Sequence, residues 1–205
     1  MAMETLQDLY VTKLQKMYDA EQEGLEAMQK MVKLADNPQL KQAFETHRAQ
    51  SERQVQRLEQ IFELQGESAK ASKCISTRAL ITEAEAMIPK VEEGSARDAF
   101  LIAAQQMVEH HEIADYGTVR TWARQLGFTQ AAALLQQTLD EEEQTDKLLS
   151  HLAEGMINAQ AAIGDRAQSD REITRTPMSG DMAGSTGSGS AQREQIASED
   201  PELHA

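Results

Sequence analysis

Val108-Glu109-His110-His111-Glu112 is the stretch of this 205-residue chain in which chemistry is most legible. It interrupts a helical stripe of Phe100/Leu101, Ala104, Val108, Val119, Trp122/Ala123 and Leu126, and His111/Glu112 and Asp115/Tyr116 fill the missing turns. A charged group on the buried face of a helix is costly unless it is paired, hydrogen-bonded or bound to a metal. Three other segments break in the same way. Glu21 falls between Met17 and Leu25; His47, Gln50/Ser51 and Gln54 fall between Phe44 and Val55; Glu142 and Thr145/Asp146 fall between Leu139 and Leu149. Carboxylates and imidazoles converging inside a bundle are the donors that a pair of iron or manganese ions takes, because carboxylates bridge divalent ions and offset their charge. Two other readings account for the same residues. One is a buried network in which His47 and His111 neutralise neighbouring carboxylates. The other is a solvated face, since of Asp140-Glu141-Glu142-Glu143 only Glu142 fits the stripe.

The elements that must position these groups follow from periodicity and punctuation. Thr5 and Asp8 predict a capping-box start for a first helix whose stripe runs from Leu6 to Ala35, and Asp36-Asn37-Pro38 supplies a stop and a restart. A second helix, Leu40 to Leu64, ends at Gly66. The weaker pattern up to Gly94, with a short amphipathic helix over about Ile75–Ile88, reads as the crossover of a one-crossover four-helix bundle. Ser95 with Asp98 opens the third long helix, and Gly127 with Thr129 stops it and caps the fourth. Helices rise about 1.5 Å per residue, so residues equally far from a hairpin loop meet. Glu21 and the His47 group flank Asn37-Pro38, and Glu112 and Glu142 flank Gly127. Two docked hairpins would bring all four breaks to one level. After Asn158, Gly, Ser, Thr, Asp and Arg dominate, so the expected organisation is a bundle over 1–158 and a disordered, low-complexity tail over 159–205.

Composition sets the outer bounds. Helix formers prevail and aromatic residues make up only 4%, which points to an all-α fold. A formal charge of −14 argues against nucleic acid and anionic membrane surfaces as partners and suits a protein that attracts cations. The sequence shows no signal-peptide pattern and no bilayer-length apolar run, so a cytoplasmic location is expected. Cys74 is the only cysteine, which excludes an intrachain disulfide and a thiolate metal cluster.

Several motifs occurring in order carry a family resemblance. They are Leu9-Tyr10, Tyr18-Asp19-Ala20-Glu21, Phe44-Glu45-Thr46-His47, Gln54 to Glu59, Val108 to Gly117, Trp122 to Gly127, and Thr138 to Asp146. Together they resemble the YciE/YciF-type proteins of the ferritin-like superfamily, bacterial stress-associated proteins long catalogued as a domain of unknown function. The likeness spans nearly the whole helical region and none of the tail. It implies a ferritin-like four-helix bundle, a di-iron or di-manganese centre, a homodimer, and a link to osmotic, oxidative or general stress, without an established reaction.

Carried over residue by residue, Glu21, His47, Glu109, Glu112, Glu142 and Asp146 match positions that recur in the family's motifs. Gln50 stands where many relatives carry Glu, and neither hairpin shows the Glu-x-x-His order of ferritins and rubrerythrins. One carboxylate fewer leaves more uncompensated positive charge and favours weaker, single-ion or altered metal binding. The expected ligands are Glu21, Glu112 and Glu142, with Glu109 as a bridge or second ligand and His47, Gln50 and Asp146 as supplementary ligands. Tyr116 either hydrogen-bonds a ligand carboxylate or packs with a wetted hydroxyl. The expected function is metal binding in the service of peroxide or oxygen chemistry, or metal handling. The alternative is a non-enzymatic stress protein whose polar layer only fixes bundle register.

Overall fold

A computed structural model describes residues 3–163. The helix α1 (Leu6–Leu34) begins with the capping box that the sequence predicts: Thr5 Oγ1 accepts the Asp8 N–H at 3.1 Å, and the Asp8 carboxylate accepts the Thr5 N–H at 2.9 Å. Asn37 accepts the N–H groups of Gln39 and Leu40, and Pro38 opens α2 (Pro38–Leu64), where its missing N–H costs nothing. The crossover then carries α3 (Ile75–Met87) and a 3₁₀ turn, Ile88–Lys90. The second hairpin is α4 (Ser95–Gln125) and α5 (Thr129–Leu152), extended by a π-helical turn, Ala153–Ile157. Helical conformation runs on to residue 163, past the Asn158 boundary that composition suggests. The remainder of the expected disordered tail lies outside the described residues.

Helix α1 packs on α2 and α4, and α5 packs on α2 and α4, so the four long helices form a square in which every neighbour is antiparallel. This is an all-α, ferritin-like four-helix bundle. The crossover runs the length of the bundle to start α4 beside the α1–α2 turn, with α3 lying on α1 and α4. Asp19 of α1 holds it in place by accepting the Cys74 N–H at 2.8 Å and the Arg78 guanidinium at 2.9 Å.

The start of α4 differs from the sequence expectation. Ser95 is the first helical residue rather than the cap, and the cap is Gly94, whose φ of 94° and ψ of −147° suit a residue without Cβ. Asp98 is not occupied by its own helix start. Its two carboxylate oxygens accept the N–H groups of Asp36 and Asn37, each at 2.9 Å, while Asp36 accepts the Gly94 N–H at 2.8 Å and Arg97 at 3.0 Å. The two helix starts therefore clamp each other. Thr129 is likewise the first residue of α5 rather than its cap. Gly127, at φ 80°, makes the turn, and the Phe128 ring packs on Tyr10 with centroids 5.5 Å apart.

The core comes in two apolar halves. One gathers Tyr10, Leu14, Leu58, Phe62, Val119 and Leu135 at the end nearest the α4–α5 turn. The other gathers Met28, Leu40, Phe44, Leu101, Leu149 and Ile157 at the end nearest the α1–α2 turn. What lies between them is polar.

Because Asp98 satisfies two backbone N–H groups of the α1–α2 turn, Asp98→Ala should lower unfolding free energy by about 2–4 kcal/mol. Asp98→Asn, which keeps one acceptor oxygen, should recover roughly half of that loss. Equilibrium urea unfolding measures both, and equal stability of Asp98→Ala and the parent would rule out the clamp.

Candidate metal centre

Each long helix delivers ionisable side chains to the gap between the apolar halves. Glu21 comes from α1, His47 from α2, Glu109 and Glu112 from α4, and Glu142 from α5, and none is more than 7% exposed. On α4 the 3.6-residue period puts Gln105, Glu109, Glu112 and Tyr116 on successive turns of one inward face, between Leu101 and Val119. On α5 the same logic turns Leu135, Thr138, Glu142 and Thr145 inward.

The tightest group is His47, Glu109 and Glu142, each offering a donor atom within 4.8 Å of the others. His47 Nε2 lies 2.9 Å from Glu109 Oε1 and 3.8 Å from Glu142 Oε2. The other ring nitrogen, Nδ1, is 3.2 Å from Thr145 Oγ1, and that hydroxyl donates to the Glu141 carbonyl at 3.1 Å. Thr145 therefore has a lone pair for an Nδ1–H, which fixes the ring and turns Nε2 toward the carboxylates. Gln105 donates to Glu109 Oε1 at 2.6 Å. Glu109 Oε2 and both oxygens of Glu142 are buried with no hydrogen-bond donor. Across the layer, Tyr116 donates to Glu21 Oε1 at 2.5 Å.

Taking these groups out of water shapes their charge states. Burial pushes the Glu21 carboxyl up to about 7, although the Tyr116 hydrogen bond and His47 pull it down. Burial, reinforced by the charges of Glu21 and Glu109, holds Glu112 well above the carboxylate range. Glu142 is raised by burial, by the charges of Glu109 and Glu112 and by its approach to Glu109; as a carboxylate it has no donor. The exception is the ion pair. Burial opposes charge on both groups, yet His47 lowers the Glu109 carboxyl and Glu109 raises the His47 imidazole. Burial likewise carries the Tyr116 phenol well above its usual value, with the Glu21 charge adding to it. The metal-free layer thus holds one imidazolium–carboxylate pair and acids that have lost their solvent.

Of the residues expected at the site, Glu21, His47, Glu109, Glu112 and Glu142 face this layer. Half-buried Gln50 lies beside His47 and favours its charged form. Asp146 does not join them: it turns to the flank between α4 and α5, where it accepts Gln106 Nε2 at 2.9 Å and lies 3.4 Å from His110 Nδ1. His111 is also outside, 3.7 Å from Asp115, which pairs with Lys13 at 2.5 Å. Glu141, in a run expected to be solvated, is half-buried and bonds Arg57 of α2 through both oxygens at 2.6 and 2.7 Å. Gln105 has no place in the sequence reading, and Thr145 enters it only as part of the fourth break, without a role. Their only signal is position, one turn from Glu109 and from Glu142 on the same faces.

The donor set suits a hard or borderline divalent ion: carboxylate oxygens, one imidazole and no thiolate. Four buried carboxylates and a neutral imidazole would balance the charge of two divalent ions, and the orphaned oxygens of Glu109 and Glu142 are the lone pairs such ions would take. The residues present fit the group that the family likeness implies.

Comparison with known proteins gives the family and the fold. A family model described as a domain of unknown function, DUF892, matches residues 5–162. Protein YciF of Escherichia coli strain K12 is 41% identical over 162 residues, covering 78% of this chain and 98% of that protein. The crystal structure of the E. coli stress protein YciF superposes with a TM-score of 0.73, covering 76% of this chain and 99% of that one. YcfI of Rhodopseudomonas palustris, described as a candidate structural protein, is 33% identical with a TM-score of 0.71, covering 72% of this chain and 94% of that one. With a match that runs from the cap of α1 to the end of the bundle, the chain belongs to the DUF892 family, alongside the stress protein YciF.

Proposed function

We propose that this protein is a stress-associated, ferritin-like metal-binding protein whose mid-bundle layer holds iron or manganese as a dinuclear centre. Its use would be peroxide or oxygen chemistry, or metal handling. The observation that carries this reading is the set of buried carboxylate oxygens on Glu109 and Glu142 that meet no donor, in a layer where imidazole and carboxylate donors already converge. Leaving such atoms unpaired costs about 1–3 kcal/mol each, and more for charged groups, so a cation resident there would offset a real penalty.

His47, Glu109 and Glu142 would hold one ion, with Glu21 and Glu112 extending the donor set. Gln50 is a supplementary donor, and Asp146 contributes through the flank of α4 and α5 rather than to the layer. A bound iron or manganese pair supplies electron transfer to an oxygen substrate and polarises it. The protein's own residues do the rest. Thr145 keeps His47 Nδ1 protonated and Nε2 free to ligate; Gln105 orients Glu109; the Tyr116 hydroxyl, its oxygen 2.5 Å from Glu21 Oε1, holds a proton on that carboxylate. The apolar halves close the layer above and below. A homodimer in the cytoplasm belongs to this reading and rests on the family likeness and the composition.

A second reading keeps the layer as structure alone. It draws on the His47–Glu109 pair, which is satisfied in part by Thr145 and Gln105 without any ion, and on the description of YcfI as a candidate structural protein. Metal content separates the two. Elemental mass spectrometry of protein purified without chelator should find about two iron or manganese ions per chain, and almost none in a Glu112→Ala, Glu142→Ala double variant. No bound metal in the parent, even after anaerobic reconstitution with Fe(II) or Mn(II), would sink the metal reading.

The pH dependence carries its own sign. Glu21 has its folded pKa raised from 4.5 to about 7, so the folded state holds a proton that the unfolded state releases. Its contribution is full below the unfolded value and is lost as pH rises through about 7, a change on the order of 3 kcal/mol. Metal binding runs the other way, since ligands must deprotonate. Chelated protein should therefore melt at lower temperature as pH climbs from about 5 to 8, while the extra stability conferred by Mn(II) grows over the same range. Parallel pH profiles with and without Mn(II) would contradict a site at these acids.

A further inference from the structure

The polar layer is open on one side. Where α3 crosses α1 and α4, a cavity of about 310 Å³ begins at Glu21, His47 and Glu112 and continues between apolar walls that include Met28, Met31, Ile81, Ile88, Leu101 and Val108. Along α1 its lining extends from Glu21 to Leu34, a rise of roughly 20 Å, so the cavity is long as well as apolar. Lys30 and Glu85 line it too and pair at 2.5 Å, tying α1 to α3 at its rim. An apolar void of this size forfeits packing on every wall unless something occupies it. Its volume is at the lower end of the range for small-molecule sites.

Two features give the cavity a direction. At the polar end, the Glu112 carboxyl makes no hydrogen bond among the described residues although it is buried, which leaves it available to an occupant. One turn from Glu21, mid-helix in α1, stands Gly24. It lines the cavity, and a Cβ built on it would meet nothing within 4 Å. Glycine weakens a helix interior, and here it keeps the passage beside Glu21 clear where any side chain would narrow it.

We propose that this cavity binds an aliphatic chain ending in an uncharged hydroxyl, with the chain lying along α1 beneath α3 and the hydroxyl meeting Glu112 and Glu21. A hydroxyl both donates and accepts, which matches carboxyl partners, whereas a carboxylate end would be set against Glu21, Glu112 and the neighbouring Glu109. Both cationic groups that line the cavity are already paired, Lys30 with Glu85 at the rim and His47 with Glu109 at the polar end, so neither is free for an anionic head.

The test titrates the full-length, metal-free chain with 1-octanol and with octanoate by isothermal titration calorimetry. Octanol should bind saturably at one site, and octanoate at least about tenfold more weakly. Gly24→Leu fills the passage and removes a helix-interior glycine, so it should melt no lower than the parent yet bind octanol at least about tenfold more weakly. If Gly24→Leu falls short of the parent's helix content, Ala84→Leu obstructs the same cavity from α3 and decides the matter. No saturable octanol binding by the folded parent overturns the proposal. So does tighter binding of octanoate, or undiminished octanol binding by a folded cavity-filling variant. Because the titrations contain no metal, their outcome is separate from the metal content of the layer.

Discussion

The contact between His47 and Glu109, 2.9 Å apart with neither residue more than 3% exposed, is the constraint around which the rest of the bundle is arranged. An imidazolium and a carboxylate deprived of water attract strongly only if their remaining hydrogen-bonding capacity is also met. Thr145 meets it on the histidine, while on the glutamate Gln105 adds a second donor to Oε1 and Oε2 stays without one, so four residues from α2, α4 and α5 must hold one register for the pair to survive. Removing either ion would leave the other buried and uncompensated, which costs more than the pair itself contributes. The layer therefore fixes how the two hairpins slide against each other more firmly than apolar contacts, which tolerate repacking, could do.

That same layer divides the apolar core. Each half must be closed by its own large side chains, Tyr10, Phe62 and Leu135 on one side and Phe44, Leu40 and Leu149 on the other. The division also explains the clamps outside the core. Asp98 and Asp36 bind reciprocally across the α1–α2 and α4 starts, and Arg57 bonds Glu141 between α2 and α5. Charge-assisted bonds at the periphery hold the helices in the alignment that the layer requires.

Much of this is legible in the sequence, because stripe and gap share the helical period. Glu21 interrupts its stripe singly, and a single interruption has only one direction to face; His47 and Glu142 each open a longer polar break and continue the line of the stripe before it. On α4 the signal is denser. Glu109, His110, His111 and Glu112 offer every azimuth of a turn, and sequence favours Glu112 because it fills the stripe, whereas Glu109 is the more deeply buried and pairs with His47. Helix α4 is covered by α1, α3 and α5 together, so its buried arc is wider than one stripe. Asp146 illustrates the converse. On α5 the inward direction lies between Glu142 and Thr145, and Asp146, about 40° beyond Glu142 on the other side, falls on the flank, where Gln106 and His110 meet it. Gln105 escapes notice and Thr145 is visible only as part of its break, because neutral polar residues acquire meaning only from the partners opposite them. The capping role read for Ser95 fails for a related reason: Asp98, its presumed partner, is committed to another helix.

The crossover helix has a thermodynamic character unlike that of its neighbours. Thr77 is the only residue of α3 that is buried, and the helix is moored chiefly by Asp19, Arg78 and the Lys30–Glu85 pair. Detaching α3 would uncover the apolar walls beneath it, Met28, Met31 and Leu101 among them, but would leave the packing among the four long helices in place, so its opening should cost less than global unfolding. Lifting of this one short helix would widen the open side of the layer without melting the bundle, so access to the interior does not require global unfolding.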